Sequence, residues 1–271
     1  MTFHNTIVVI GAMKSGTSSL HSYLDLHPQI SMSRTKELNF FVAEKEHWAK
    51  GFGWYDRQLG SRKATWRGES SPNYTKHPTF PGVPERMFQV MPDARLIYVL
   101  RDPISRIVSH YVHNRSHGRE SKPIDAALAN PQTNDYVYPS RYHYQIERFV
   151  EAGFTMEQLL VLDQRRLKND RRAVMRECFD FIGVDASFDH PGFERELHHS
   201  SRKGQPTSLA RRLMRYPGGR ALRYALPQIF EEPLERPALP DGVRDALAEV
   251  LAPDAAALRQ LTGLDFEGWS V

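Results

Sequence analysis

The chain has 271 residues, 40% of them hydrophobic and 25% charged, and a net charge of +4 at pH 7. It has no apolar run of the roughly 18 residues that a membrane span needs. Its single cysteine, Cys178, excludes an internal disulfide framework. The opening Met1-Thr2-Phe3-His4-Asn5 lacks the basic start of a secretory leader, so a cytoplasmic protein is expected. The small positive excess favours anionic ligands without naming one.

The first predicted strand is Ile7-Val8-Val9-Ile10, short, β-branched and closed by Gly11, the pattern of a central parallel strand buried on both faces. Leu20, Tyr23 and Leu24 recur at helical spacing, so a helix opens near Thr17. Between them runs Gly11-Ala12-Met13-Lys14-Ser15-Gly16-Thr17-Ser18. Its glycines let the backbone curl so that several amides face one point, and the helix N-terminus adds its positive end. Lys14 supplies a full charge, and Ser15, Thr17 and Ser18 supply hydroxyls. The stretch is a phosphate cradle, but not the nucleoside-triphosphate loop G-x-x-x-x-G-K-[ST], because Thr17 stands where that pattern has its lysine.

A short second strand is expected at Ile30-Ser31-Met32, followed by Lys36-Glu37-Leu38-Asn39-Phe40-Phe41. Two charges beside a double aromatic suggest a loop anchored by Phe40 and Phe41, with Lys36 and Glu37 facing a cleft; a plain surface ion pair is the alternative. The dense aromatics Trp48, Phe52, Trp54 and Tyr55 suit core packing or sugar stacking. Arg67 to Tyr74 is a strand end and loop, in which Glu69 is a second acid–base candidate behind Glu37.

Arg95 to Leu100 is the next strand, ending in Arg101; Asp102 suits a helix N-cap and Pro103 a first helical residue. In the helix that follows, Ile104, Ile107, Val108 and Tyr111 form an apolar stripe, while Ser105 and Ser109 share another face. His110, His113 and His117 fall on the same helix; either a metal face or, more in keeping with the missing carboxylates, a solvent-facing polar side would account for them. Further on come a helix over Ser140–Glu151, a strand at Leu159–Leu162, a basic turn from Asp163 to Arg172, and an amphipathic helix from Arg171 to Ile182, in which Cys178 is a buried, inert thiol. Strands alternating with helices imply a parallel sheet covered on both faces. Ser200 to Gln205 holds a basic Arg202-Lys203-Gly204 loop, and Leu209 to Leu226 carries five arginines whose role is open between lid, acceptor surface, membrane-surface segment and solvated face. Pro227 to Pro240 is a connector, and a helical pair closes the chain.

Three of these stretches together resemble sulfotransferases that use 3′-phosphoadenosine-5′-phosphosulfate (PAPS). Lys14-Ser15-Gly16-Thr17-Ser18 resembles their 5′-phosphosulfate loop, and Leu100-Arg101-Asp102-Pro103 with Arg106, Ser109 and Tyr111 resembles their 3′-phosphate motif. Arg202-Lys203-Gly204 resembles the loop that closes over that 3′-phosphate. Lys36-Glu37 with Phe40-Phe41, and Gly68-Glu69 with Pro72 and Tyr74, are similar to segments of glycan O-sulfotransferases, in which the glutamate matching Glu37 is the catalytic base. The resemblance implies one P-loop-like α/β domain over residues 1–271, with helices on both faces of a parallel sheet and segment 205–271 within it. It implies sulfuryl transfer from PAPS to an acceptor hydroxyl, on a carbohydrate or small molecule, leaving adenosine 3′,5′-bisphosphate. Glu37 and Lys14 would be catalytic. Lys14, Ser15, Gly16, Thr17, Ser18, Arg101, Ser109, Arg202, Lys203 and Gly204 would bind the donor. No metal, nucleic acid or membrane span is called for, and oligomeric state is open. A P-loop kinase and a non-catalytic polyanion binder are the competing classes.

Overall fold

Strand β1 (Thr6–Gly11) is buried at every position, and its alternate side chains enter two separate cores. Val8 and Ile10 face one, with Phe40, Phe41, Tyr55 and Tyr74; Ile7 and Val9 face the other, with Leu20, Leu24 and Phe179. This is why the strand is a continuous apolar run rather than an alternating one. The computed structural model describes residues 2–195, 204–206, 231–233 and 236–271, the two short stretches by their backbone alone.

After β1 the chain runs through α1 (Thr17–Leu24), β2 (Ile30–Met32), α2 (Phe52–Gln58), β3 (Trp66–Ser70), α3 (Val83–Val90), β4 (Arg95–Leu100) and α4 (Pro103–Ser116). Next come α5 (Ile124–Ala127), α6 (Tyr142–Glu151), β5 (Leu159–Asp163), α7 (Gln164–Asn169) and α8 (Arg171–Ile182). The described chain ends with β6 (Gly204–Pro206), β7 (Glu231–Pro233) and α9 (Asp241–Thr262). The first five strands form one sheet in the order β2-β3-β1-β4-β5, and every pairing in it is parallel. All five therefore point their C-terminal ends to one edge, where open α/β sheets bind ligands. The phosphate cradle, the Lys36-Glu37 loop, the Glu69 segment and Arg101 each follow a strand at that edge. β6 and β7 form a separate antiparallel pair, and β6 packs against α4.

Several expectations are corrected. The basic turn after β5 contains the helix α7, capped by Asp163, whose side chain accepts from the Arg165 amide. The closing helical pair is one 22-residue helix, α9, that continues through Pro253. Its buried Leu247, Leu251, Ala255 and Leu258 keep helical spacing across the proline, so packing holds it together despite the lost hydrogen bond. The predicted helix over Ser140–Glu151 begins at Tyr142, because Tyr138–Ser140 is a 3-10 turn. The stripe Ile104, Ile107, Val108 and Tyr111 does form a core, with Leu247 and Leu251. His110 is not on a solvent-facing side: it is 7% exposed and packs edge-on against Tyr136, with ring centres 4.8 Å apart. Cys178 is buried, and burial pushes its thiol up. Arg202, Lys203, the arginine-rich Leu209–Leu226 stretch and most of the proline connector lie outside the described residues.

Candidate active site

The phosphate cradle is a turn held from two sides. The Ala12 amide donates to Val99 O at 2.8 Å, tying the loop's start to β4, and the Ser15 amide turns back to Ala12 O at 3.1 Å. Gly16 has φ 93°, the left-handed conformation that glycine adopts without strain, and it delivers the chain into α1. The first turn of α1 leaves amides without helical partners, aimed at the loop. Lys14 has φ 73°, unusual for a residue with a side chain.

Two arginines brace this loop from the β4–α4 side. Arg101 Nη1 donates to Lys14 O at 3.3 Å, and Arg106 Nη1 reaches Met13 O at 3.5 Å. Arg106 is wholly buried; its other nitrogens donate to Ser140 Oγ and Tyr136 O. The Arg-x-x-x-x-Arg spacing thus yields one arginine at the cleft and one clamp beneath it, a role for Arg106 that sequence reasoning missed. Replacing Arg106 by Leu removes the donor to the buried Tyr136 carbonyl and to the Met13 carbonyl, at about 1–3 kcal/mol each, while Ser140 Oγ keeps its bond to Pro103 O at 3.1 Å. We expect a loss of about 3–5 kcal/mol in urea unfolding; a loss under 1 kcal/mol would mean that the clamp is idle.

Arg101 is partly buried, and its guanidinium is held below the usual range first by burial and then by the neighbouring charge of Arg236. Arg236 lies over the same helix start and donates to Ser105 O at 3.4 Å. Ser109, one turn on, is half-buried, and the backbone of Gly204 sits in the strand packed on α4. Two guanidiniums held this close suit an anion of high charge, such as a phosphate monoester. Arg236 carried no motif, so nothing in the sequence singled it out.

The Lys36-Glu37 loop closes the other side. Phe40 and Phe41 are fully buried among Tyr55, Trp48 and Tyr74, and they anchor it. Glu37 has φ 64°, and its amide donates to Ser70 O at 3.0 Å. Asn39 Nδ2 donates to Glu37 O at 2.7 Å, and Asn73 Nδ2 donates to Asn39 Oδ1 at 2.8 Å. The backbone is therefore fixed while the Glu37 carboxylate remains half-exposed, at 51%. Lys36 Nζ lies 3.4 Å from Glu37 Oε1 and 3.4 Å from Thr17 Oγ1, joining the glutamate to the phosphate loop. Burial lowers the Lys36 ammonium, with Glu37 opposing that shift. The local pattern made Lys36 half of an ion pair; only the fold shows that it spans two loops.

Glu69, the second acid–base candidate, is placed elsewhere. It is wholly buried and accepts from Tyr55 OH at 3.0 Å, Tyr74 OH at 2.5 Å and Ser71 Oγ at 2.5 Å. Burial raises its carboxyl, and no acceptor can reach it. It is a core hub that positions the loops around Glu37.

The residues fit an anionic, phosphate-bearing ligand. The Ser15 hydroxyl is buried in the loop with no hydrogen-bond partner among the described residues. The loop's other features, a left-handed glycine, a lysine and a helix N-terminus, match the same ligand chemistry. No helix among the described residues is long and apolar enough to cross a membrane.

A protein-family profile described as a sulfotransferase domain matches residues 4–205. The chain is 28% identical over 221 residues to the bifunctional heparan sulfate N-deacetylase/N-sulfotransferase 1 of Mus musculus. It is 30% identical over 217 residues to bifunctional heparan sulfate N-deacetylase/N-sulfotransferase 3 of Homo sapiens. Each alignment covers 73% of this chain and 24% of the relative, so the chain spans about a quarter of the length of the curated relatives it matches. A solved sulfotransferase from Alicyclobacillus acidocaldarius shares the fold, with a TM-score of 0.71 over 100% of both chains at 24% identity.

Proposed function

The chain belongs to the sulfotransferase domain family, and on that premise we propose that it carries a sulfuryl group from PAPS to a hydroxyl of a carbohydrate or small-molecule acceptor. The observation that carries this reading is the position of Lys36, 3.4 Å from both Thr17 Oγ1 and Glu37 Oε1, which puts a base candidate and a phosphate loop in one cleft. PAPS, when bound, supplies a sulfuryl group already joined to a phosphate leaving group. Lys14, the amides and hydroxyls of Ser15, Gly16, Thr17 and Ser18, and the dipole of α1 would hold the phosphosulfate end. Arg101 and Ser109, with Arg202, Lys203, Gly204 and the added Arg236, would hold the 3′-phosphate. Glu37 takes the acceptor's proton as its oxygen becomes the nucleophile. Lys36 keeps that carboxylate beside the loop while its own charge faces Thr17.

The relatives named as N-sulfotransferases favour a second acceptor atom, an amine nitrogen. Glu37 would remove its proton in the same way. The kinase class loses ground because Lys14 precedes the second glycine of the loop. A plain polyanion binder has no use for a base held against a phosphate loop.

Calorimetric titration with adenosine 3′,5′-bisphosphate, 5′-AMP and ATP–Mg²⁺ tests the donor class without any acceptor. We expect the bisphosphate to bind best and Arg101→Ala to weaken it roughly 10- to 100-fold, the cost of a charged hydrogen bond of about 1.5–3 kcal/mol. Equal or better binding of ATP–Mg²⁺ would return the protein to the kinase class.

A further inference from the structure

The stretch that follows α9 folds back over the start of α4. Arg259 Nε donates to Asp265 O at 2.8 Å and Arg259 Nη2 to Val271 O at 2.7 Å, while Arg165 Nη1 donates to Glu267 O. Phe266 and Trp269 stack with ring centres 4.3 Å apart, and Trp269 packs on Tyr142 at 5.7 Å. Tyr142 is buried, and its hydroxyl donates to Arg101 O at 2.8 Å. This anchoring delivers Ser270 to Asp102. The Ser270 amide and hydroxyl both donate to Asp102 Oδ2, at 2.7 Å and 2.6 Å.

The other carboxylate oxygen, Oδ1, caps α4 by accepting from the Ser105 amide at 2.7 Å. Three uncharged donors therefore occupy Asp102. Burial raises its carboxyl, but those donors outweigh burial and hold it below the usual range, so it is ionised at neutral pH. An ionised carboxylate next to an arginine is its natural partner, and the pair can form two parallel hydrogen bonds. Here no ion pair joins the two neighbours. The Arg101 guanidinium reaches instead to Lys14 O at 3.3 Å. An arginine bound to a carboxylate must release it before taking a phosphate, and affinity falls with the fraction of protein held in the paired form.

We propose that Ser270 is a positioning residue of the anion subsite at Arg101. By engaging Asp102 Oδ2 it diverts that carboxylate from the guanidinium and keeps Arg101 for a phosphate monoester, the 3′-phosphate of the donor. The assignment deepens the sulfotransferase reading and rests on it for the identity of that phosphate. It also makes the stretch after α9, which holds Arg101 by its carbonyl and Asp102 by its side chain, part of the donor's support.

The test compares the full parent chain with Ser270→Thr, which keeps both donors, and Ser270→Pro, which removes both. A third variant combines Ser270→Pro with Asp102→Asn, which deletes the diverted charge and keeps a capping side chain. Calorimetry measures adenosine 3′,5′-bisphosphate against 5′-AMP. Arginine Nε NMR without ligand follows Arg101, its signal assigned by its absence in Arg101→Lys. Ser270→Pro should narrow the preference for the bisphosphate roughly tenfold, the effect of leaving about one-tenth of the protein unpaired, and should shift the Arg101 signal. Asp102→Asn in that background should restore both. Ser270→Thr should match the parent. Ser270→Ala, which removes the hydroxyl alone and serves if proline unsettles the fold, should narrow the preference about threefold. Equal weakening of both ligands, or a loss that Asp102→Asn does not restore, overturns the proposal, because a purely structural role gives either. An unmoved Arg101 signal overturns it as well. A signal that shifts with Ser270→Pro and returns with Asp102→Asn, in a parent without preference for the bisphosphate, upholds the diversion and strikes the donor reading instead.

Discussion

Glu37→Gln is expected to lower kcat by about 10²–10⁴-fold, the usual contribution of a positioned general base, while adenosine 3′,5′-bisphosphate binds as before. The substitution is nearly isosteric, and the loop does not depend on the carboxylate. Its hold comes from the Glu37 amide on Ser70 O and from Asn39 on the Glu37 carbonyl. A glutamine oxygen can still accept from Lys36, so the bridge to Thr17 survives in form. What disappears is the capacity to accept a proton. Single-turnover rates on a competent acceptor, with bisphosphate calorimetry beside them, separate chemistry from binding. Activity retained within tenfold of the parent would remove Glu37 from the base role.

Lys14→Met is expected to cost about 10²–10³-fold in kcat, the scale of losing one donor to charge that develops in a transition state. The loop carries residue 14 at φ 73° and is braced at its carbonyl by Arg101, so the ammonium's starting point is set by the backbone. Methionine keeps the length of the stem and deletes only the charge. Bisphosphate affinity should fall by far less than kcat, because the loop amides and Arg101 remain. If instead KM rises and kcat holds, Lys14 contributes uniform binding and does not stabilise the departing phosphate.

Much of the frame was legible along the chain because its signals are local. β1, β4 and β5 are apolar runs with sharp ends, and Asp102-Pro103 announces a helix start that the structure confirms, with Ser105 N donating to Asp102 Oδ1 at 2.7 Å. The phosphate loop was visible for the same reason: its glycines, lysine and hydroxyls lie within eight consecutive residues. What stayed hidden depends on distance. Arg106 looks like any helical arginine until Tyr136 and Ser140 fold over it. Glu69 looks catalytic until Tyr55 and Tyr74 enclose it. Arg236 carries no pattern, and its place over the start of α4, donating to Ser105 O at 3.4 Å, comes from the fold alone. Pro253 misled because it normally ends a helix, and here tertiary packing overrode that tendency.

The strand order also divides the protein by its latitude for evolutionary drift. The loops proposed to hold the donor hang from β1 and β4, interior strands that each have a hydrogen-bonded neighbour on both sides. A change of length there would disturb two ladders and both cores at once. Glu37 instead follows β2, a three-residue strand at the sheet's edge with one neighbour. The exposed residues 43–46, just beyond the anchored Phe40-Phe41 pair, can change their side chains while β1 and β4 keep their register. On the proposed reading, a lineage built on this sheet takes on new acceptors through such exposed positions without redesigning the loops proposed to hold the donor.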